Sequence, residues 1–219
     1  MEIPETILVT YQSTKNAFKA STFLDEIRKY TIISVDFEVA VKFTSAELQS
    51  MRDELATDPP KLRRIQLEAA LAATALDHPS YCTLTHCSIA ISDHEAYVFI
   101  LDNRSITNLI LQFLVTTTQK QVWHNLSYDA KFLYYHTGKF PLDYEDSQIF
   151  AKTLVNHVDT YKANTGLKEL AGSAYGAWGI SSDNFSLDAM YDEHVLRYAA
   201  TDACATMWVW NGLLNYCKD

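Results

Sequence analysis

The run Thr31-Ile-Ile-Ser-Val-Asp-Phe-Glu-Val-Ala-Val41 is the most β-like stretch of the sequence, and two carboxylates interrupt it. β-branched residues at this density favour a strand. A strand turns successive side chains to opposite faces, so Asp36 and Glu38 project from the same face. Neighbouring carboxylates without basic partners repel each other and are costly to bury, and a divalent cation removes that cost. The same spacing recurs at Asp93-His-Glu95 and Asp143-Tyr-Glu145, but those pairs fall in a predicted turn and after Pro141. Only Asp36-Phe-Glu38 lies inside an apolar strand, where solvation does not account for it.

Around this strand the pattern alternates. Leu8 to Tyr11 reads as a short strand, and Ser13 or Thr14 opens a helix in which Phe18, Phe23, Leu24 and Ile27 share a face. Ser45 to about Leu76 is helical, broken at Asp58-Pro59-Pro60, which predicts a helical hairpin. Strands follow at Tyr81 to Ile91 and Ala96 to Leu101, joined by a polar turn. A helix over Ser105 to Val115, a strand over Gln121 to Asn125 and a helix over Ser127 to Tyr135 come next, the last stopping near Thr137-Gly138. Helical stretches are predicted from Asp146 to about Val155 and from Leu167 to Ala174. A glycine-containing loop over 175–185 leads into a long helix from about Leu187 to Tyr216, with Val195, Ala199, Ala203, Met207, Trp210 and Leu214 as its apolar stripe. An antiparallel trio of strands followed by alternating helix and strand predicts an α/β layer fold with a mixed sheet.

With 219 residues, one domain over 1–219 is expected, with residues 44–80 as a helical insertion. No window approaches the roughly 18 consecutive apolar residues that span a bilayer, and the N-terminus lacks a signal-peptide layout. No membrane partner is expected. The four cysteines lack regular spacing and suit a reducing compartment, the cytoplasm of a prokaryote or of a phage-infected host cell. Cys82 and Cys87 with His86 between them are set aside as a zinc site, because an odd offset in a strand sends the two thiols to opposite faces. Eighteen basic against 27 acidic residues give a net charge of −9, which argues against coating long stretches of nucleic acid through many phosphate contacts.

Two further motifs share the chemistry of the first. Val122-Trp-His-Asn-Leu-Ser-Tyr-Asp129 runs from a strand end into a helix and sets Asn125 four residues before Asp129. Tyr198-Ala-Ala-Thr-Asp202 places a phenol and a carboxylate on one face of the long helix. Each alone has an ordinary reading: a solvated aspartate, an asparagine helix cap, a core tyrosine. Together they occur in a fixed order, each in the structural context that it needs.

The chain here resembles the DEDD superfamily of 3′→5′ exonucleases, specifically the tyrosine-bearing subgroup. The phrases Trp-His-Asn-Leu-Ser-Tyr-Asp and Tyr-Ala-Ala-Thr-Asp-Ala look most like the proofreading domains of family A DNA polymerases, including phage ones. The histidine-bearing subgroup has His five residues before the last aspartate, where this chain has Arg197. The resemblance implies a ribonuclease H-like fold and matches Asp36 and Glu38 to the first motif, Asn125 and Asp129 to the second, and Tyr198 and Asp202 to the third. It implies two Mg2+ or Mn2+ ions, one held by Asp36, Glu38 and Asp202 and the other addressed by Asp36 and Asp129, with Tyr198 orienting the attacking water. Asn125, Val39 and Lys42 match positions that approach the terminal nucleotide.

The implied reaction releases nucleoside 5′-monophosphates from single-stranded or frayed DNA 3′ ends, as a free-standing proofreader acting beside a DNA polymerase or another replication protein. The alternatives are RNA 3′-end trimming in the manner of ribonuclease D, and a non-catalytic module that binds DNA or a polymerase. The hairpin departs from the family pattern. Its second arm carries Lys61, Arg63 and Arg64, expected to contact DNA or a partner, and an apolar side expected to pack on the domain or on a partner. In the loop, Trp178 and Phe185 are candidates to stack a base or to anchor the loop.

Overall fold

In the computed structural model, residues 6–75, 78–155, 164–176, 178 and 187–218 are described. Six strands form one sheet: β1 (Thr10–Thr14), β2 (Ile32–Val41), β3 (Cys82–Ala90), β4 (Glu95–Ile100), β5 (Lys120–Trp123) and β6 (Tyr144–Asp146). Their spatial order is β1-β4-β3-β2-β5-β6. β1 runs parallel to β4, and β2, β5 and β6 run parallel to one another, while β3 is antiparallel to both of its neighbours. The mixed α/β sheet expected from the sequence is therefore present. β6 has three residues, too few to show a period of two, and the sequence pattern does not reveal it.

Helices cover both faces. Val35, Phe37, Cys87, Ile89 and Phe99 pack with helices α1 (Ala17–Ile27), α4 (Arg104–Thr116) and α5 (Leu126–Thr137). Ala90, Val98 and Ile100 pack on the other face with α7 (Leu167–Tyr175) and the 24-residue α8 (Glu193–Tyr216). α8 starts later than the sequence suggests. Leu187–Ala189 form a separate 3₁₀ turn, and the Asp192 side chain caps α8 by accepting from the His194 N–H. Similarly, Asn16 caps α1, so the helix opens after Ser13 and Thr14. Phe18 does not share the buried face: it is 85% exposed, whereas Leu24 is fully covered. A spacing of five residues, Phe18 to Phe23, rotates a helical side chain away from the face.

The hairpin between β2 and β3 consists of α2 (Ser45–Ala56), α3 (Lys61–Ala75) and a break at Asp58, whose φ is +59° ahead of two prolines. Thr44 and Glu47 form a capping box at its start. The basic end is largely neutralised within the hairpin. Arg63 forks onto both Glu54 carboxylate oxygens at 2.7 and 2.8 Å, and Arg64 pairs with Asp58. Leu67 and Ala70 are buried, while Leu62 and Ile65 remain exposed on the same arm.

β3 carries one irregularity. Glu38 pairs with His86 and the next residue, Val39, with Leu84, so Thr85 is an extra residue in the ladder. The bulge returns Cys82 and Cys87 to the same face of the sheet, where both join the α1/α4/α5 core. The expectation that an odd offset separates them is corrected by this bulge. His86 faces the other way and bonds the Met190 carbonyl at 2.8 Å, so the three residues do not converge. Among the described residues, no helix is long and apolar enough to cross a membrane.

The orientation of α1 sets a test. Leu24→Ala is expected to destabilise the fold by about 2–5 kcal/mol, as cavity-forming core substitutions do. Phe18→Ser should stay within about 0.5 kcal/mol. Urea denaturation of the two variants measures both, and equal losses would mean that α1 presents a different face.

Candidate active site

The two parallel neighbours β2 and β5 end at different levels. Their ladder runs only from Ile32 opposite Lys120 to Ser34 opposite Val122, so β2 continues beyond the point at which β5 leaves the sheet. Asp36 and Glu38 stand on that continuation, on the face covered by α8. Beneath them on the opposite face, Phe37 meets Trp123 edge-on at 5.4 Å between ring centres, tying the two strands together.

The end of β5 leaves the Phe37 N–H without a ladder partner on that side, and the Asp129 carboxylate accepts from it. Asp129 reaches this point because the chain turns sharply after β5. Asn125 caps α5 with φ +64° and ψ +50°, a left-handed conformation that asparagine tolerates better than most residues. Its side chain does not cap the helix; its Oδ1 accepts from the Ser127 hydroxyl at 2.9 Å. Asp146, at the end of β6, secures the turn. Its Oδ1 accepts from the Asn125 N–H at 3.1 Å and its Oδ2 from the Leu126 N–H at 2.9 Å. Oδ1 also accepts from Gln148 and Ile149 at the start of α6 (Ser147–Val155). One carboxylate thus holds the starts of two helices, a role that the sequence reading missed because β6 is invisible there.

α8 supplies the third set. The Ser34 hydroxyl donates to the Ala203 carbonyl at 2.7 Å, fixing α8 against β2. This places Asp202, only 7% exposed, opposite Asp36 and Glu38. Carboxylate oxygens of these three residues all lie within 4.8 Å of one another. Asp129, 4% exposed, is not part of that trio, yet its charge acts on both Asp36 and Glu38.

The Tyr198 phenol bonds Asp202. Val39 packs toward the α1/α4/α5 core, and the Lys42 ammonium donates to the Pro79 and Ser80 carbonyls at 2.9 and 3.0 Å. Phe185 lies outside the described residues. Trp178 donates its indole N–H to Asp202 Oδ1 at 2.5 Å.

The electrostatics follow from this crowding. Burial pushes the Asp36 carboxyl well above the usual carboxylate range, and the charges of Glu38, Asp202 and Asp129 push it further. Burial does the same to Glu38, with Asp202 next, and burial raises Asp129. Burial, then Asp202, drives the Tyr198 phenol far above its ordinary value, so it is neutral at physiological pH. The two other Asp-x-Glu pairs are compensated: Asp93 bonds His94 at 2.7 Å, and Glu145 meets Lys120 at 3.1 Å.

Among the described residues, two lysine charges act on the carboxylates, that of Lys131 on Asp129 and that of Lys168 on Asp36 and Glu38. Lys168, in the first turn of α7, ion-pairs with Asp202. The sequence carries no signal for it, since a single lysine on a short helix has no distinguishing spacing. The arrangement suits a divalent metal. All donors are hard oxygens, and Glu38 Oε1 is buried without a hydrogen-bond partner.

A cavity of about 520 Å³ adjoins the site, lined by Trp178, His194, Arg197, Tyr198 and the Ile7–Val9 segment among others.

Because these carboxyls titrate higher in the fold than in the unfolded chain, they favour folding most when protonated, below an unfolded value of about 4. That contribution is lost as pH rises through their folded values. His86 and His124, held neutral by burial, act in the opposite direction. The readout is therefore the difference between wild type and Asp36→Asn. With metal chelated, the variant is expected to gain urea resistance relative to wild type as pH rises from about 5 to about 8. A constant difference would remove Asp36 from the coupled set.

Comparison with known proteins agrees with this fold. Solved structures share the fold over nearly the whole chain. Brucella melitensis NrnC with bound Mg2+ is 17% identical with a TM-score of 0.60, covering 98% of this chain and 83% of its own. The exoribonuclease RNase D of Escherichia coli is 14% identical with a TM-score of 0.61, covering 96% of this chain and 46% of its own. The Aedes aegypti Nibbler EXO domain is 13% identical with a TM-score of 0.64, covering 98% and 94%. At these identities the likeness establishes a ribonuclease H-like exonuclease fold. No curated protein sequence matches the chain. The family model described as 3′-5′ exonuclease matches residues 73–218, from the end of the hairpin through Asp129, Tyr198 and Asp202, and the chain belongs to that 3′-5′ exonuclease family.

Proposed function

We propose that this chain is a single-domain, two-metal-ion exonuclease that removes nucleoside 5′-monophosphates from the 3′ ends of single-stranded or frayed DNA. The observation that carries the reading is the trio Asp36, Glu38 and Asp202, converging around a buried Glu38 oxygen that no protein group satisfies. Asp36, Glu38 and Asp202 would hold one Mg2+ or Mn2+, and Asp36 with Asp129 a second. Such ions, when bound, acidify water and neutralise charge on the leaving 3′ oxygen.

The chain's own groups position and exclude. The Tyr198 O–H donates a hydrogen bond to Asp202 and the phenol stays neutral, which leaves its oxygen to accept from, and so orient, the attacking water. Asn125 would hold the terminal nucleotide, a reading supported by its position at the left-handed start of α5, the helix that carries Asp129. The cavity beside Tyr198 offers a path for the preceding nucleotides. An acidic chain can act on nucleic acid in this way because it grips only a few terminal phosphates.

RNA trimming is the second reading. It is favoured by the structural likeness to RNase D of E. coli, described as an exoribonuclease, and to Trypanosoma brucei RNase D in complex with RNA U12, 15% identical with a TM-score of 0.60. Incubation with Mg2+ and end-labelled DNA or RNA of one sequence separates the two. DNA shortened one nucleotide at a time, faster than RNA, supports the first reading, and the reverse order supports the second.

Asp36→Ala and Asp202→Ala are expected to abolish hydrolysis of either substrate. Tyr198→Phe should slow it by roughly tenfold to a thousandfold, about 1.4–4 kcal/mol in the barrier, without weakening Mn2+ binding in calorimetry. A large loss of Mn2+ affinity in this variant would show that the phenol serves the metal instead of the water.

A further inference from the structure

Lys168 combines an ion pair to a site carboxylate with contact to two aromatic rings. Its ammonium bonds Asp202 Oδ1, the same oxygen that receives the Trp178 indole N–H. It lies over the Tyr198 ring at 4.2 Å and the Trp178 ring at 4.4 Å, between two aromatic faces. Its charge reaches beyond Asp202 and draws down the carboxyls of both Asp36 and Glu38. The lysine therefore occupies, toward the trio, the electrostatic place of a metal ion.

A divalent ion held by Asp202 and an ammonium in contact with the same carboxylate repel each other strongly. An ammonium on a flexible four-carbon stem can leave, and the flanking rings provide a low-cost track along which it moves. The group that restores its lost ion pair must be negative and must arrive when the metal does. A phosphate of the incoming strand meets both conditions.

We propose that Lys168 is a built-in counter-cation of the carboxylate cluster: it competes with divalent metal for Asp202 and, once displaced, contacts a phosphate oxygen of the bound nucleic acid. This rests on the two-metal reading above and adds a coupling to it. Metal binds weakly to the free protein and more tightly when a strand is present, because the strand gives the displaced ammonium a partner. Cluster and lysine thus form an exchange site whose two occupants are a protein cation and a metal cation.

The test is Mn2+ titration calorimetry on the full chain at neutral pH and low salt, comparing wild type with Lys168→Met, first without nucleic acid. Lys168→Met is expected to bind Mn2+ on the order of tenfold more tightly than wild type. Its metal-free melting temperature should be lower than that of wild type, with the gap closing at saturating Mn2+. A phosphorothioate-terminated oligonucleotide should then raise the Mn2+ affinity of wild type more than that of the variant. Lys168→Gln gives the same readout if the methionine variant does not fold.

Unchanged or weaker Mn2+ binding by the neutral variants, with wild type binding normally, overturns the proposal and leaves the exonuclease reading intact. Absence of Mn2+ binding in wild type and in both neutral variants overturns both. Tighter binding by the variant in a protein that degrades neither DNA nor RNA upholds the exchange and overturns the exonuclease reading alone.

Discussion

Like-charged carboxylates do not gather in a half-buried site unless the fold forces them together and something positive compensates them. In this protein Asp36, Glu38 and Asp202 are so gathered, with Asp129 close by, and the surrounding architecture serves that convergence. β5 stops short so that α5 can bring Asp129 to the free edge of β2. The Ser34 hydroxyl holds α8 at a carbonyl one residue beyond Asp202. Asp146 locks the left-handed turn at Asn125 from below. In the metal-free protein this set works against stability, which is the usual relation between a functional site and the fold that carries it.

Most of the fold was legible because its elements are long and periodic. β2, α4 and the buried stripe of α8 announce themselves through β-branched runs or 3.6-residue spacing. What escaped was local. A three-residue β6 has no period, and the bulge at Thr85 reverses the facing of Cys82 relative to Cys87 without leaving a trace in residue types. The start of α8 was misplaced because Leu187 to Ala189 continue a helical pattern that the chain abandons before Asp192.

At the site, the motif residues were readable from their context: carboxylates in an apolar strand, an Asn-to-Asp spacing at a strand end, and a Tyr-to-Asp pair on a helix. The supporting residues were not. Lys168 and Asp146 act through positions that only the tertiary fold brings near, the first across two helices and the second across a parallel strand pair. The hairpin adds a further lesson. Its basic end reads as a nucleic-acid contact in the sequence, yet Glu54 and Asp58 fold back to neutralise Arg63 and Arg64.

The central claim is that Asp36, Glu38 and Asp202 form a metal site. Anomalous diffraction at the manganese edge, from crystals soaked in Mn2+, tests it most directly. The account predicts a strong peak enclosed by these three carboxylates, with the Lys168 ammonium moved off Asp202. Clear density for the carboxylates with no anomalous peak among them, and Lys168 still in place at saturating Mn2+, would contradict it.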